Sequence, residues 1–124
     1  MERISKIVKK KIDIANNYRR ELDQLSSLIM FPNIKKNIKH SHWLYTIILD
    51  SRFKRDQIIK SLMERGIDTR PIFYSLHQMP PYRKFKRSFD LSNSLKISTQ
   101  GLSLPSSLNI KEEDIKYISN ALKE

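Results

Sequence analysis

The segment GIDTRPIFYSLHQMPPYRKF, residues 66–85, gathers an unusual set of side chains into one short stretch. Gly66 is followed by a Thr-Arg pair, a Phe-Tyr step, a lone histidine and a double proline, an order that ordinary packing does not require. Gly66 stands where the left-handed C-terminal cap of a preceding helix is expected. Ile67 to Phe73 predicts a strand in which Pro71 marks a sheet edge or the end of ladder pairing. The segment therefore predicts an edge strand that leads into a loop rich in aromatic and polar groups.

The residues before this segment predict a strand and a helix. Trp43 to Leu49, WLYTIIL, is dense in aromatic and β-branched residues and is apolar on both faces. This composition predicts a central strand covered on both sides. Residues 54–65 place apolar side chains on one helical face and end at Gly66, which predicts a helix.

The residues after the segment continue the alternation of helices and strands. Phe89 to Gln100 has a weaker helical pattern that ends at Gly101, and Leu102 to Leu104 predicts a short strand. Asn109 and Glu112 have the spacing of a capping box at the start of a last helix.

The N-terminal region has the pattern of one long amphipathic helix over about residues 2–26, with apolar residues at steps of three and four. A helix of about 24 residues is about 36 Å long, and a domain of this size has a radius of gyration of only about 13 to 14 Å. We therefore expect the helix either to extend toward another domain or subunit or simply to project beyond its own domain.

These elements together predict the fold class. Helices and strands alternate over 124 residues, a length that suits one domain with one modest core. The expectation is an α/β or α+β sandwich, in which helices pack on a small, mainly antiparallel sheet of about three strands.

Composition excludes several classes of function. The chain has no cysteine, which excludes a disulfide framework and a thiolate metal site and favours a reducing, cytoplasmic location. The charged N-terminus lacks the apolar stretch of a signal peptide, and no run is long enough to predict a membrane span. The chain has only two glycines, which excludes a glycine-rich phosphate-binding loop.

Motifs for catalysis or metal binding are lacking. His40 and His42 would share a face of an early strand, but no clear carboxylate partner accompanies them, so we predict no metal site. The serines at 41, 103 and 106 lack the glycine elbow of a hydrolase nucleophile. We predict no catalytic residue in this chain.

The net charge of +11 raises the alternative of nucleic-acid binding. Basic residues occur in nearly every segment, and only Tyr82 to Arg87 interleaves aromatic and cationic side chains as a stacking platform would. A solvated basic surface explains the charge equally well.

At residues 66–82 the sequence strongly resembles the "GI.TRPFFYPLH.MPPY" segment in the C-terminal domain of the DegT/DnrJ/StrS family of sugar-nucleotide aminotransferases. The resemblance covers nearly the whole chain, and its tail is most similar to members like perosamine synthase. Ser75 is a departure, because the family usually has proline at that position. The further matching segments are Glu2-Arg3-Ile4, Trp43-Leu44-Tyr45, Arg55-Asp56 with Leu62 and Gly66, and Ser94 to Ser107.

The resemblance implies the small domain of a fold-type I enzyme that depends on pyridoxal phosphate. Such enzymes move an amino group from glutamate to a keto-sugar linked to a nucleoside diphosphate, in polysaccharide or glycan biosynthesis. Residues 1–26 would be the interdomain helix and residues 27–124 the small domain. The catalytic lysine and the aspartate at the pyridine nitrogen belong to the large domain, so this chain alone is expected to bind no cofactor and to be inactive. A homodimer is the usual assembly of the family.

On this resemblance, Arg70, Phe73, Tyr74 and His77 face the substrate cleft. Arg70 can offer a planar fork of donors to a carboxylate or diphosphate, the two aromatic rings a face for sugar or base, and His77 a hydrogen bond. The alternative is that Arg70 pairs with Asp68 or an acidic group at a domain interface, and that the aromatic rings fill the core. A standalone module that binds a sugar nucleotide or a partner subunit also stays open.

Overall fold

The computed structural model describes residues 3–85 and 90–124. The helices among them are α1 (Ile4–Leu22), α2 (Arg55–Glu64), α3 (Ser92–Gln100) and α4 (Glu112–Ala121). The strands are β1 (Ile29–Met30), β2 (Tyr45–Leu49), β3 (Arg70–Pro71) and β4 (Gly101–Leu104). Short 3-10 turns cover Asp23–Leu25, Leu76–Gln78 and Pro80–Tyr82.

The strands form one antiparallel sheet in the order β1-β2-β4-β3. Ile47 of β2 lies opposite Leu102 of β4, and Arg70 of β3 lies opposite Ser103. The predicted fold class, helices on a small antiparallel sheet, is confirmed. The sheet has one strand more than expected, because β1 is only two residues long and too short to show a periodic pattern.

The core lies where α1 and α4 pack against the sheet. Tyr18 of α1 is fully buried and its ring stacks on Tyr45 of β2, with centroids 4.7 Å apart and an interplanar angle of 12°. The Tyr18 hydroxyl donates to the carbonyl of Pro105 at 2.7 Å, so the buried polar tip has a partner. Burial raises the pKa of Tyr45 to about 12, and both rings stay neutral. The other core side chains are Ile14, Ala15, Leu22, Ile29, Ile47, Leu49, Leu62, Ile67, Leu102, Leu104, Ile115 and Ile118.

The long N-terminal helix is present but shorter than predicted. It ends at Leu22 and continues as the 3-10 turn Asp23–Leu25, while its first turns leave Ile4 and Ile7 exposed. Residues 1 and 2 lie outside the described residues. No helix in the described part of the chain combines the length and apolarity needed to cross a bilayer.

The predicted strands need correction at their ends. β2 begins at Tyr45 rather than Trp43, because the partner strand β4 ends at Leu104, the residue opposite Tyr45. Just before the predicted strand, His42 takes a left-handed backbone conformation (φ 47°). One face of β2 is buried and the other only half-buried, so the strand is central but not equally covered on both sides. β3 has two residues instead of the seven from Ile67 to Phe73, because only Arg70 and Pro71 pair with β4 in register.

Helix ends are partly as predicted. Gly66 has φ +75° after α2, which confirms the left-handed cap. The capping box at Asn109 and Glu112 is wrong: α4 starts at Glu112, and the backbone N–H of Lys111 donates to Oδ2 of Asp114 at 2.9 Å. α3 starts at Ser92, and Phe89 lies outside the described residues.

Candidate functional site

The four predicted site residues lie on one surface segment, residues 70–77, which we call the rim. Phe73 and Tyr74 are 75% and 72% exposed, so the aromatic rings do not fill the core. Arg70 is exposed on the edge strand β3, and His77 is half-buried in the turn Leu76–Gln78. The rim is therefore available to a ligand or a companion surface.

Arg70 pairs with Asp68, as the alternative interpretation of the sequence foresaw. Its Nη2 lies 2.8 Å from Oδ2 of Asp68, and both side chains are exposed. An exposed ion pair of this kind contributes only about 0 to 1 kcal/mol. The pairing therefore does not prevent Arg70 from exchanging Asp68 for a stronger anion.

Ser75 fixes the middle of the rim. It is buried, its backbone N–H donates to Oγ of Ser98 at 3.1 Å, and its hydroxyl donates to the carbonyl of Ser94 at 2.8 Å. The Ser94 hydroxyl donates in turn to Oγ of Ser75 at 3.2 Å. This serine cluster joins the rim to α3.

Gly101 lets the rim approach α3 and β4 closely. The backbone N–H of Ile72 donates to the carbonyl of Gly101 at 3.1 Å. A Cβ at Gly101 would lie 2.5 Å from the carbonyl oxygen of Ile97 and 2.6 Å from Cδ1 of Ile72. Only glycine fits between these groups.

A large open cavity of about 980 Å³ adjoins the rim. Arg70 and Phe73 line it, whereas Tyr74 and His77 are not among its lining residues. Its other walls come from α1, from β2 and β4, and from the connector between β1 and β2. This connector, residues 31–44, supplies half of the lining residues that the sequence did not predict for the site.

The connector holds its two histidines in a defined arrangement. The backbone N–H of His42 donates to Nδ1 of His40 at 3.0 Å, and the ring centroids are 4.4 Å apart. Burial, and then the neighbouring His40, lower the pKa of His42. Because Nδ1 of His40 is an acceptor, neutral His40 carries its proton on Nε2. In residues 3–85 and 90–124, no three His, Asp or Glu side chains group as metal ligands would.

The charges in the cavity are of one sign. Arg19 and Arg70 line it together with the two histidines, and its described lining contains no aspartate, glutamate or lysine. The Cζ of Arg19 lies 3.9 Å from the centroid of the Phe31 ring, so this guanidinium makes a cation–π contact with an aromatic wall. The site is therefore suited to an anion and not to a cation.

Lys11 is the lysine that most invites comparison with a Schiff-base lysine, because burial lowers its pKa. Its Nζ, however, donates to the carbonyls of Trp43 (3.0 Å) and Ser106, so it ties α1 to the connector. With no lysine and no carboxylate among the described cavity residues, the residues present do not fit pyridoxal phosphate.

The basic, aromatic stretch Tyr82 to Arg87 is described only in part. Tyr82 and Phe85 have ring centroids 6.5 Å apart, and Nζ of Lys84 lies 5.7 Å from the Phe85 centroid. Lys86 and Arg87 lie outside the described residues.

The family model and the most similar curated proteins all point to one family of aminotransferases. Residues 1–123 match the model of the DegT/DnrJ/EryC1/StrS aminotransferase family. GDP-perosamine synthase of Vibrio cholerae is 40% identical over 128 residues, a match that covers 99% of this chain and 34% of the relative. GDP-perosamine synthase of Caulobacter vibrioides is 30% identical over 126 residues, covering 100% of this chain and 34% of the relative. The chain thus spans about a third of the length of the curated relatives that it matches.

A solved structure supports the fold. DesI, crystallised in the presence of its TDP-sugar product, superposes with a TM-score of 0.85 at 20% identity. The match covers 98% of this chain and 32% of DesI.

Proposed function

The chain belongs to the DegT/DnrJ/EryC1/StrS aminotransferase family, and we propose that it is the C-terminal domain of an enzyme that depends on pyridoxal phosphate. The complete enzyme would move an amino group from glutamate to a keto-sugar linked to a nucleoside diphosphate. In this proposal the chain contributes one wall of the substrate cleft, and a large domain contributes the chemical groups.

The observation that carries this proposal is the exposure of a rigidly held rim. Phe73 and Tyr74 expose about three quarters of their surface, and Leu76 exposes 67%. Between them, Ser75 is buried and makes three hydrogen bonds with α3. Large apolar side chains that are displayed on an ordered backbone mark an interaction surface.

Each rim residue has a role in the proposed cleft. Arg70 would exchange its exposed partner Asp68 for a carboxylate or phosphate of the substrate, with which a guanidinium forms stronger, paired hydrogen bonds. Phe73 and Tyr74 would pack against the sugar or base, and His77 would donate or accept a hydrogen bond at the mouth.

The cofactor belongs to the proposed large domain. Pyridoxal phosphate supplies the electron sink for transamination when it is bound through a lysine. The cavity of this chain offers no lysine and no carboxylate among its described lining residues, so its own contribution is to bind and orient the substrate.

A chimera tests the proposal. Residues 1–124 would replace the matching C-terminal third of the Vibrio cholerae GDP-perosamine synthase, and the purified chimera would be assayed for glutamate formed from GDP-perosamine and 2-oxoglutarate. We expect bound pyridoxal phosphate and turnover in the chimera, and no Schiff-base absorbance band when the cofactor is added to the 124-residue chain alone.

Two results would count against the proposal. One is a stoichiometric band on the chain alone that borohydride reduces onto a single lysine. The other is a folded chimera that binds pyridoxal phosphate and forms no glutamate while the parent enzyme does.

A further inference from the structure

We propose that Arg55 is a positioning residue for the rim: it holds the C-terminal end of α3 and, through Ser98, determines where the rim lies. This inference rests on the proposed function, in which the rim meets the substrate. It assigns a role to a residue that lies outside both the rim and the lining of the adjoining cavity. Because Arg55 acts through another residue, it affects substrate binding and not the chemical step.

Arg55 is a charged residue with little access to water. It is the first residue of α2, and only 13% of its side chain is exposed. Charged side chains are rarely buried without partners. Its Nη1 donates to the carbonyl of Ser98 at 2.6 Å, and its Nε and Nη2 each lie 3.0 Å from Oδ1 of Asp56. The Asp56 side chain is 83% exposed, so water weakens that ion pair, and the bond to Ser98 better explains the buried position of the guanidinium.

The charge of Arg55 suits the end of α3 better than the start of its own helix. A cation is favoured at the C-terminus of a helix, where the last carbonyls lack partners within the helix. The last turn of α3, residues 97–100, carries no basic residue of its own. The backbone N–H of Gly101 donates to the carbonyl of Ile97, and Arg55 donates to the next carbonyl, that of Ser98. Arg55 therefore caps α3 from a different helix.

Ser98 connects this cap to the rim. Its carbonyl accepts from Arg55, and its Oγ accepts from the backbone N–H of Ser75 at 3.1 Å. The Ser75 hydroxyl donates to the carbonyl of Ser94, which precedes Ser98 by four residues and so lies on the same face of the helix. This face of α3 supports the rim, and Arg55 holds its C-terminal end.

The rim needs this support because sheet pairing holds only its first residues. β3 consists of Arg70 and Pro71, after which the backbone N–H of Ile72 donates to the carbonyl of Gly101 at 3.1 Å. Gly101 directly follows α3, so this bond also depends on the position of the helix end. A shift of that end would move the attachment points of Ile72 and Ser75 together.

α2 is a firm base for the contact. Leu62 in its last turns is 1% exposed, and after the left-handed cap at Gly66 the chain enters the core again at Ile67, which is 4% exposed. From there the backbone leads into β3 and the rim. The bond from Arg55 to Ser98 therefore joins the start of α2 to the far end of the rim that α2 precedes.

Amide hydrogen exchange in the 124-residue chain tests this role without a substrate. Arg55→Gln is expected to raise the exchange rate of the Ser75 amide about tenfold, as for loss of a charged hydrogen bond, and to raise the rates of the β2 amides by a clearly smaller factor. A merely structural role would raise both by the same factor, through global unfolding. Asp56→Asn is the matched control, because it removes the exposed partner of Arg55 and keeps the bond to Ser98; it should change the Ser75 rate by less than about twofold.

Two further variants locate the coupling. Ser98→Ala removes the acceptor of the Ser75 N–H, so Arg55→Gln should add little to the Ser75 rate in that background. Arg55→Lys keeps a cation at the end of α3 but loses the planar fork, and should raise the Ser75 rate about threefold. This milder variant decides the question if Arg55→Gln does not fold.

The chimera with the Vibrio cholerae large domain gives the functional readout. Arg55→Gln is expected to raise KM for GDP-perosamine about fivefold or more and to change kcat and bound pyridoxal phosphate by less than about twofold, because a displaced wall weakens ground-state and transition-state binding alike. Asp56→Asn should leave KM and kcat unchanged.

Four results would overturn the inference: equal acceleration of exchange at Ser75 and in β2, equal effects of Arg55→Gln and Asp56→Asn at Ser75, full additivity of Arg55→Gln and Ser98→Ala, or an unchanged KM in an active Arg55→Gln chimera. The proposed function fails separately. An inactive chimera counts against that function, and the exchange rates still decide whether Arg55 holds the rim.

Discussion

The backbone N–H of Ser75 donates to Oγ of Ser98 at 3.1 Å, and this bond joins the middle of the rim to α3. The two serines are buried, each about 5% exposed, so neither group can exchange its partner for bulk water. The rim position therefore depends on a polar contact that a proline at residue 75 could not make.

Ser75→Pro is predicted to destabilise the chain by about 1 kcal/mol. The backbone of Ser75 (φ −61°) already suits proline, which stabilises by about 0.4 to 1 kcal/mol through the unfolded state. The substitution also removes two donors, at about 1 kcal/mol each. Urea unfolding would measure the difference, with the exposed Ser107→Ala as control. A variant more stable than the parent would show that the serine cluster does not hold the rim.

Gly101→Ala is predicted to cost about 1 to 3 kcal/mol, because the new Cβ would overlap the carbonyl of Ile97 and the side chain of Ile72. Gly66→Ala offers a matched comparison. Gly66 has open space within 4 Å but φ +75°, so its cost, about 1 to 2 kcal/mol, comes from backbone strain alone.

The two glycine variants differ in their expected effect on the rim. Gly101 accepts the hydrogen bond of Ile72, so Gly101→Ala should change amide-exchange rates at residues 72–75 as well as the unfolding free energy. Gly66→Ala should leave those rates unchanged. Identical exchange profiles for the two variants would contradict the role of Gly101.

The free energy of unfolding is predicted to fall as the pH drops below about 6.5, the ordinary pKa of histidine. Burial and His40 lower the pKa of His42 in the folded chain, so the unfolded chain binds this proton more readily in the window between the two values. His42→Asn should weaken the dependence, because asparagine tolerates a left-handed backbone and does not titrate. Urea unfolding at pH 7 and pH 5.5 would measure it, and an equal dependence in the variant would refute the assignment.

Much of the fold could be predicted from local patterns in the sequence. The apolar spacing of α1, the composition of β2 and the glycine after α2 each reflect a local rule, and the structure confirms the elements they predict. The edge strand β1 was not predicted, because two residues are too few to show a periodic pattern. The capping box was assigned to the wrong residues, because α4 starts at Glu112, three residues after Asn109.

The candidate site was less accessible to sequence reasoning. Phe73 and Tyr74 were recognised through a motif, and both side chains are exposed. Their placement at the substrate cleft stays a prediction. The cavity depends on a connector whose shape is set by the His42 turn and by Lys11, which reaches the carbonyl of Trp43 from a position 32 residues away. Contacts of this kind leave no local signal. From the sequence, the spacing of His40 and His42 raised only the question of a metal site, and we predicted none.

The most direct test of the central claim, that the rim is one wall of the active site, is kcat/KM in the chimera with the Vibrio cholerae large domain. Arg70→Gln is predicted to lower kcat/KM for the nucleotide-linked sugar at least tenfold, as expected for loss of a charged hydrogen bond to substrate. Arg52→Gln, which disrupts an equivalent exposed ion pair outside the cavity, should change it by less than about twofold. Equal kcat/KM values for the two variants, with both proteins folded and loaded with cofactor, would contradict the account.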